Sequence, residues 1–333
     1  YREWGTYMEN KGRILCLQSM FLQYTDDSHT MNIKRICNYL DINGYTATDK
    51  TVRDDILILQ NFGMNIVFEK NKGYKLKSRL FELSELKMLA DAISAFHFLT
   101  VFQAKMLLTK LETLCSNYEK REIYREIRFN DNIKSESNDI FKNLDIINRA
   151  ICQKKKIEFD YCDYNIKKNQ VHRDGYKRIC LPFATAMCSE QYYLVSNYTK
   201  YSETMTNFHI DRMRNIEILD EPCQIPPEKL NVTTYIRSSF SMFSGKSSYM
   251  TLKFPMENKF CNIVIDRFGK SIVMMRTDSN YFTICVPIKS EQPEPFFAWI
   301  FSFNGNVQIT SPVDLREQYS KMLMDNFKKV FYQ

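Results

Sequence analysis

One stretch in the first quarter of the chain constrains the fold most, because a helix pattern leads there directly into a short hairpin pattern. Thr48 is a favourable N-cap residue, and Val52, Ile56 and Leu59 recur at i, i+4 and i+7. Gly63 predicts the end of this helix. We therefore expect an amphipathic helix that begins after Thr48 and turns its polar face to solvent.

A basic hairpin is predicted directly after this helix. Residues 66–68 and 74–76 are rich in β-forming types, and an Asn-Lys-Gly turn separates them. The tip and the return arm carry four lysines, namely Lys70, Lys72, Lys75 and Lys77. A polar helix beside a basic hairpin suits a DNA duplex, because phosphates attract such side chains.

Two further helices are predicted before this unit, at positions marked by Ile14, Leu17 and Phe21 and by Ile33, Cys37 and Leu40. Residues 10–78 as a whole resemble the winged helix-turn-helix of bacterial regulators, whose recognition helix reads Ser-x-x-Thr-(Ile/Val)-Arg-x-Asp-(Leu/Ile). The matching positions here are 48–56. The candidate DNA-binding residues are therefore Thr48, Lys50, Thr51, Arg53, Lys70 and Lys72. Asp54 stands where many relatives carry a second basic residue, so it either orients Arg53 or accepts a hydrogen bond from a cytosine amine.

Composition favours a cytoplasmic protein of several domains. A chain of 333 residues with 44% hydrophobic content suffices for about two to three domains. Since no stretch has the length of a membrane span and the N-terminus lacks a signal-peptide pattern, no membrane partner is expected. The ten cysteines include no Cys-x-x-Cys pair and predict reduced core residues. The net charge of +7 is modest, so nucleic-acid binding requires a local patch such as the hairpin.

Residues 81–145 have a helical pattern, with apolar side chains at helical spacing from Leu83 and again from Leu107. The charge-rich stretch at 118–137 predicts a helix end followed by an exposed loop. This segment is interpreted as a helical linker. Relay of a signal to the DNA-binding part and a role as a plain spacer both remain open.

After Ile146 the pattern changes to alternation, as in Ile157, Phe159 and Tyr161. Further strands are predicted at 177–181, 191–196 and 205–210, and their spacing suggests a small, strongly bent barrel. The sequences Arg-x-x-x-Pro at 178–182, Gln-Tyr-Tyr-Leu-Val at 191–195 and Phe-His-Ile-Asp-Arg-Met at 208–213 resemble the WYL domain, an Sm-like barrel. Tyr192 takes the place of the tryptophan in that name.

The barrel is predicted to carry cationic and aromatic side chains together, a combination that suits a nucleotide or another anion. They are Arg173, Arg178, His209, Arg212, Tyr161, Tyr192 and Tyr193. In the alternative interpretation Tyr192 and Leu194 are core, Tyr193 is partly exposed, and the arginines pair with Asp163, Asp174 or Asp211. Strict alternation would place Arg212 on the apolar side, so either the strand ends earlier or a bulge turns the side chain. The resemblance implies a ligand pocket formed by Tyr193, His209 and Arg212, with Arg178 nearby.

After prolines that indicate a linker, residues 235–333 show a β-α-β-β-α-β order, which implies a ferredoxin-like domain. This part resembles the C-terminal extension that follows WYL domains. The predicted fold is α+β and multidomain. Its parts are a winged helix-turn-helix at 1–80, a helical linker at 81–145, a WYL domain at 146–221 and the extension at 235–333.

The expected function is that of a ligand-responsive, DNA-binding transcriptional regulator. The resemblance implies a homodimer, and we expect a repressor that binds an inverted-repeat operator, whose two-fold symmetry suits a dimer. We expect it to sense a nucleotide or a single-stranded nucleic acid. The alternative is a WYL-type nucleic-acid-binding accessory protein that modulates an effector enzyme. Enzymatic activity, a cofactor and a metal are not expected, because the four histidines lack metal-ligand spacing and no phosphate loop or nucleophile elbow occurs.

Overall fold

The computed structural model describes residues 2–126, 139–188, 190–198, 205–222 and 247–331. The chain divides into two compact units, Tyr1–Glu136 and Ser137–Gln333. In the parts that the structure describes, none of the helices combines the length and the apolar character needed to span a bilayer.

The first unit begins with three helices and a hairpin. They are α1 (Arg2–Tyr24), α2 (Ile33–Ile42), α3 (Asp49–Asn61), β1 (Ile66–Glu69) and β2 (Gly73–Leu76). Their shared core contains the predicted apolar positions Leu17, Phe21, Leu40 and Val52, all with no exposed surface. The helices and the hairpin predicted in this region are therefore confirmed.

The hairpin is attached to the loop before α2. Met31 and Tyr74 exchange two backbone hydrogen bonds of 2.8 Å, which add a short third strand to β1 and β2. Gly73 allows this approach, since it has a φ of +126° and a Cβ there would lie 2.3 Å from the carbonyl oxygen of Met31. The hairpin is thus fixed to the helical core.

Three helices follow in the same unit, α4 (Leu83–Ala95), α5 (Val101–Glu112) and α6 (Lys120–Glu126). They share a small core of Leu86, Ala90, Leu108, Cys115 and Ile123. The charge-rich stretch predicted as a helix end plus loop instead forms a separate helix, α6, as far as Glu126. Residues 127–138, which include the remainder of that predicted loop, lie outside the described residues.

A polar junction joins the N-terminal helices to this bundle. Asp26 is buried, and its carboxylate accepts hydrogen bonds from the hydroxyl of Ser116 (2.6 Å) and from the ring of His29 (2.7 Å). The ring of His29 stacks on Tyr118 with centroids 3.7 Å apart. These contacts keep the pKa of Asp26 below its usual value although burial raises it. The carboxylate is therefore a fixed part of the junction.

The second unit begins with α7 (Ile140–Gln153) and a curled six-stranded sheet. The strands are β3 (Lys155–Tyr164), β4 (Gln170–His172), β5 (Arg178–Cys188), β6 (Gln191–Tyr198), β7 (Met205–His209) and β8 (Met213–Pro222). The order is β4-β3-β5-β6-β7, and β8 pairs with β3. The sequence analysis did not predict β4 or β8. The predicted boundary between 145 and 146 falls inside α7, whose Asn143 amide donates to the carbonyl oxygens of Ile210 and Met213.

The C-terminal part contains the predicted β-α-β-β-α-β order followed by a last helix. It comprises β9 (Ser247–Pro255), α8 (Asn258–Phe268), β10 (Met274–Arg276), β11 (Tyr281–Lys289), α9 (Glu294–Phe301), β12 (Gln308–Ser311) and α10 (Val313–Phe331). The sheet order is β10-β11-β9-β12, with all pairs antiparallel. One face of this sheet forms an apolar core with the helices.

The cysteines are free wherever the structure describes them, but they are not all core residues. Cys115, Cys162 and Cys180 are buried as predicted, whereas Cys152 and Cys285 are exposed. The expectation was wrong for both exposed cysteines. Cys285 is exposed because strand residues alternate between faces. Its neighbours Ile284 and Val286 fill the core, and Cys285 lies on the opposite side of the sheet.

Candidate functional site

The predicted DNA-binding residues begin with two threonines that cap α3. The hydroxyl oxygen of Thr48 accepts a hydrogen bond from the backbone N–H of Thr51 at 3.3 Å, and the two hydroxyl oxygens lie 2.9 Å apart. This satisfies one of the free N–H groups at the helix start. Both side chains therefore have a structural role in forming the helix, in addition to any contact with DNA.

Lys50 and Arg53 lie on the solvent side of α3 and are exposed. The same helix buries Val52, Asp55 and Leu59 on its inner side. Nη1 of Arg53 lies 3.5 Å from the hydroxyl oxygen of Tyr74 on β2. The arrangement leaves one exposed cationic helix face next to the hairpin, as a recognition helix and wing require.

The lysines of the hairpin differ in their surroundings. Lys70, at the tip, is exposed. Nζ of Lys72 lies 3.1 Å from one carboxylate oxygen of Glu69, and Nζ of Lys75 lies 2.7 Å from the other. Hydrogen bonds from Lys75 and Lys72 lower the pKa of Glu69, and the bond to Glu69 raises the pKa of Lys75. Glu69 therefore offsets part of the positive charge of the hairpin.

Two basic residues that the sequence analysis did not select also lie near the start of a helix in this region. Lys34 and Arg35 are exposed in the first turn of α2. In helix-turn-helix proteins the first helix of the motif crosses the DNA backbone, so Lys34 and Arg35 are added to the candidates for phosphate contacts. Their position opposite the buried Ile36 and Leu40 was the signal that could have identified them.

The sheet of the second unit brings together the predicted pocket residues Tyr193 and His209. They are directly opposite each other on β6 and β7, with ring centroids 4.4 Å apart. The hydroxyl oxygen of Tyr161 on β3 accepts a hydrogen bond of 3.1 Å from the backbone N–H of His209. Tyr193 is 9% exposed, less than the alternative interpretation expected, and Tyr192 is only half-buried.

Arg212 follows this pair because β7 ends at His209 and residues Ile210–Arg212 form a 3₁₀ turn. Of the two explanations left open by the alternation pattern, the early strand end is therefore correct. Nε of Arg212 is buried and has no hydrogen-bond partner among the described residues. An unpaired buried guanidinium nitrogen is costly, which makes it a candidate for binding an anion.

Polar atoms without partners also occur on His209 and Asp211. Nδ1 of His209 and Oδ1 of Asp211 are buried, lie 3.8 Å apart and have no hydrogen-bond partner in the described part of the chain. Burial, aided by Arg212 and Arg173, lowers the pKa of His209 to about 4, and burial raises the pKa of Asp211. The histidine is therefore neutral at neutral pH, and the 3.8 Å separation is not an ion pair.

Arg173 lies beside this cluster. Its guanidinium stands 5.1 Å from the ring centroid of Tyr161 and donates from Nε and Nη2 to the two carboxylate oxygens of Asp163. This fork raises the pKa of Arg173 and lowers that of Asp163. The site thus combines cations with aromatic faces.

Arg178, predicted to lie near the pocket, is engaged by the protein itself. Its guanidinium is buried, lies 2.7 Å from the carboxylate of Asp174 and donates to the hydroxyl of Tyr198 at 3.1 Å. It also faces the ring of Tyr176 at 4.6 Å. The ion pairs of the alternative interpretation are therefore present for Arg178 and Arg173. No group of His, Cys, Asp or Glu side chains within the described ranges could hold a metal ion.

Comparison with known proteins locates one family within the chain. Residues 142–218 match the model of the WYL domain. Among solved structures, the chain is similar to proteasome accessory factor B/C (PafBC) of Arthrobacter aurescens, with 16% sequence identity and a TM-score of 0.28. The match covers 93% of this chain and 45% of that one, so the chain spans less than half the length of that protein. No curated protein matches the chain.

Proposed function

We propose that this chain is a ligand-responsive, DNA-binding transcriptional regulator of the WYL type. In this proposal residues 1–80 are a winged helix-turn-helix, and a homodimer acts as a repressor at an inverted-repeat operator in the cytoplasm. The WYL domain senses a nucleotide or a single-stranded nucleic acid, and a ferredoxin-like extension follows it. No catalytic step is part of the proposal.

The observation that carries the DNA-binding part is the geometry of α3 and the hairpin. Lys50 and Arg53 are exposed on one face of α3. The opposite face is buried in the core of residues 1–80, which we call the head. Because the hairpin is bonded to Met31, the wing and the helix keep a fixed spacing. A preformed cationic surface of this kind binds a duplex without first ordering itself.

A selection from a random pool of DNA duplexes tests this part. The full chain should enrich one sequence with two-fold symmetry, since a symmetric dimer matches two half-sites. Binding to the enriched duplex should exceed binding to a scrambled duplex and to duplex RNA at the same salt concentration. If duplex RNA binds as well as the enriched DNA, the accessory-protein alternative replaces the regulator.

The sensing part rests on the unpaired polar atoms around His209 and Arg212. The cation over the ring of Tyr161 and the buried Nε of Arg212 suit an anion, and the paired rings of Tyr193 and His209 suit a ligand that also carries a flat ring. Phosphate alone would leave the aromatic faces unused. The WYL match over residues 142–218 includes every one of these residues.

The double variant Tyr193→Ala with Arg212→Ala tests the sensing site. Once calorimetry with nucleotides and short oligonucleotides has found a ligand, this variant should still bind the operator but no longer respond to that ligand. The reason is that the two sites are coupled only through a conformational equilibrium. If no ligand binds, or if the double variant unfolds, these residues are structural and the sensing proposal fails.

A further inference from the structure

We propose that Gln191 is a specificity-determining residue that binds the edge of a nucleobase in the site around Tyr193 and His209. The inference rests on the proposed sensing function and goes further, because it assigns the ligand a base that the protein recognises by hydrogen bonds. Gln191 precedes the two tyrosines of the barrel motif and was not among the predicted site residues.

The position of Gln191 follows from the register of the sheet. Gln191 begins β6 and pairs with Cys188 across the β5–β6 hairpin. Tyr193 is two residues further along the strand, so both side chains lie on the same face, about 7 Å apart. His209 pairs with Tyr193 on that face. The amide thus lies beside the rings that we expect to stack on the ligand.

The carbonyl oxygen of the Gln191 side chain is the second observation. This Oε1 atom is buried and has no hydrogen-bond partner among the described residues. Other buried polar atoms without partners among the described residues lie on His209, Asp211 and Arg212. These residues are at the end of β7, the neighbour of β6 in the sheet, and in the 3₁₀ turn after it. Buried polar atoms in native proteins nearly always have partners, so such a concentration indicates groups that are completed by a ligand.

The chemistry of an amide selects the class of ligand. The side chain offers one acceptor and two donors side by side, and the edge of each nucleobase likewise places donors next to acceptors. A phosphate group only accepts hydrogen bonds and leaves the amide oxygen unsatisfied. Gln191 is therefore suited to a base, while Arg212 is suited to a phosphate.

The experiment measures the binding of the full chain to short oligo-dA, oligo-dC and oligo-dT of equal length, and to an abasic oligonucleotide, by fluorescence anisotropy. Gln191→Met retains the approximate volume of the side chain without its amide, and circular dichroism checks its fold. We expect the ratio between the best-bound and worst-bound base to fall about fivefold or more. Affinity for the abasic oligonucleotide should not change, because its phosphate contacts remain.

Gln308→Met is the matched control, since Gln308 is exposed on β12 in the C-terminal part. It should leave the base preference unchanged. If the parent binds the oligonucleotides and loses them in the Tyr193→Ala, Arg212→Ala variant, but Gln191→Met keeps the base preference, this inference alone is wrong. If the parent binds none of the oligonucleotides, the sensing function and the role of Gln191 are both overturned.

Discussion

Arg13 on α1 donates two hydrogen bonds to the carboxylate of Asp55 on α3, one of 2.7 Å from Nε to Oδ2 and one of 3.1 Å from Nη2 to Oδ1. The side chains are only 12% and 4% exposed. The pair fixes α3 against the helix that begins the unit. The orientation of the proposed recognition face therefore depends on an ion pair behind it.

The variant Arg13→Met should destabilise the head by about 3 kcal/mol, because it leaves the carboxylate of Asp55 buried without its partner. The measurement is the midpoint of the first thermal unfolding transition of the full chain. Adding Asp55→Leu should recover much of the loss, since the buried charge is then gone. The control is Asp54→Asn at the neighbouring exposed residue. If this variant lowers the unfolding midpoint as much as Arg13→Met does, the ion pair between Arg13 and Asp55 does not stabilise the head.

Lys50→Ala and Arg53→Ala should each weaken binding to the selected operator by about 1–3 kcal/mol, because each removes a donor from the recognition face. Both side chains are exposed, so the fold should survive. Titration of labelled operator and scrambled duplex with each variant measures the effect. Operator affinity equal to that of the parent in both variants would mean that α3 is not the recognition helix.

Replacing Lys70 and Lys72 together with alanine should weaken binding to all duplexes alike and flatten the slope of log K against log salt by about one to two units. Glu69→Gln should have the opposite effect, since this carboxylate lies against Lys72 and Lys75. Anisotropy titrations at several salt concentrations measure both slopes. A loss limited to one sequence would show that the wing contacts bases instead of phosphates.

The full chain should be a dimer at micromolar concentration, and a head truncated at about Leu80 should lose most of its operator affinity. Two linked heads bind two half-sites with a high effective concentration, a gain of about 100-fold or more. Such a truncation also removes one partner of Asp26, because Ser116 is lost. A second fragment ending after Glu126 keeps this bond and controls for it. A monomer by light scattering, with full affinity in the longer fragment, would refute the prediction.

The pH dependence of stability should report His209, the half-buried histidine of the curled sheet. The unfolded chain protonates His209 near pH 6.5, whereas burial lowers the pKa to about 4 in the folded state. Above pH 6.5 His209 is neutral in both states and does not change the free energy of unfolding. As the pH falls toward 4, the unfolded chain takes up the proton first, so the free energy of unfolding decreases by roughly 3 kcal/mol in total. His209→Asn should flatten the unfolding curves in this range, because the asparagine side chain takes up no proton. If the free energy of unfolding has the same pH dependence in the parent and in His209→Asn, the pKa of His209 is not lowered by burial.

The sequence by itself determined the elements whose signals are local. The spacing of Val52, Ile56 and Leu59 and the cap at Thr48 predict α3 correctly, because helical periodicity and capping involve only neighbouring residues. The β-α-β-β-α-β order near the C-terminus could be predicted for the same reason, because each helix and strand has its own local pattern. Local patterns also placed Tyr193 and His209 on strands, although their function remains a prediction.

Tertiary structure decided every feature that joins distant parts of the chain. Arg13, the partner of Asp55, is 42 residues away along the chain, and Ser116, one of the partners of Asp26, is 90 residues away. Neither contact can be predicted from a local sequence pattern. The pairing register placed Gln191 beside the tyrosine–histidine pair, and the 3₁₀ turn after His209 decided where Arg212 lies. Such contacts depend on chain closure and packing, and periodicity encodes only which face of each element is buried.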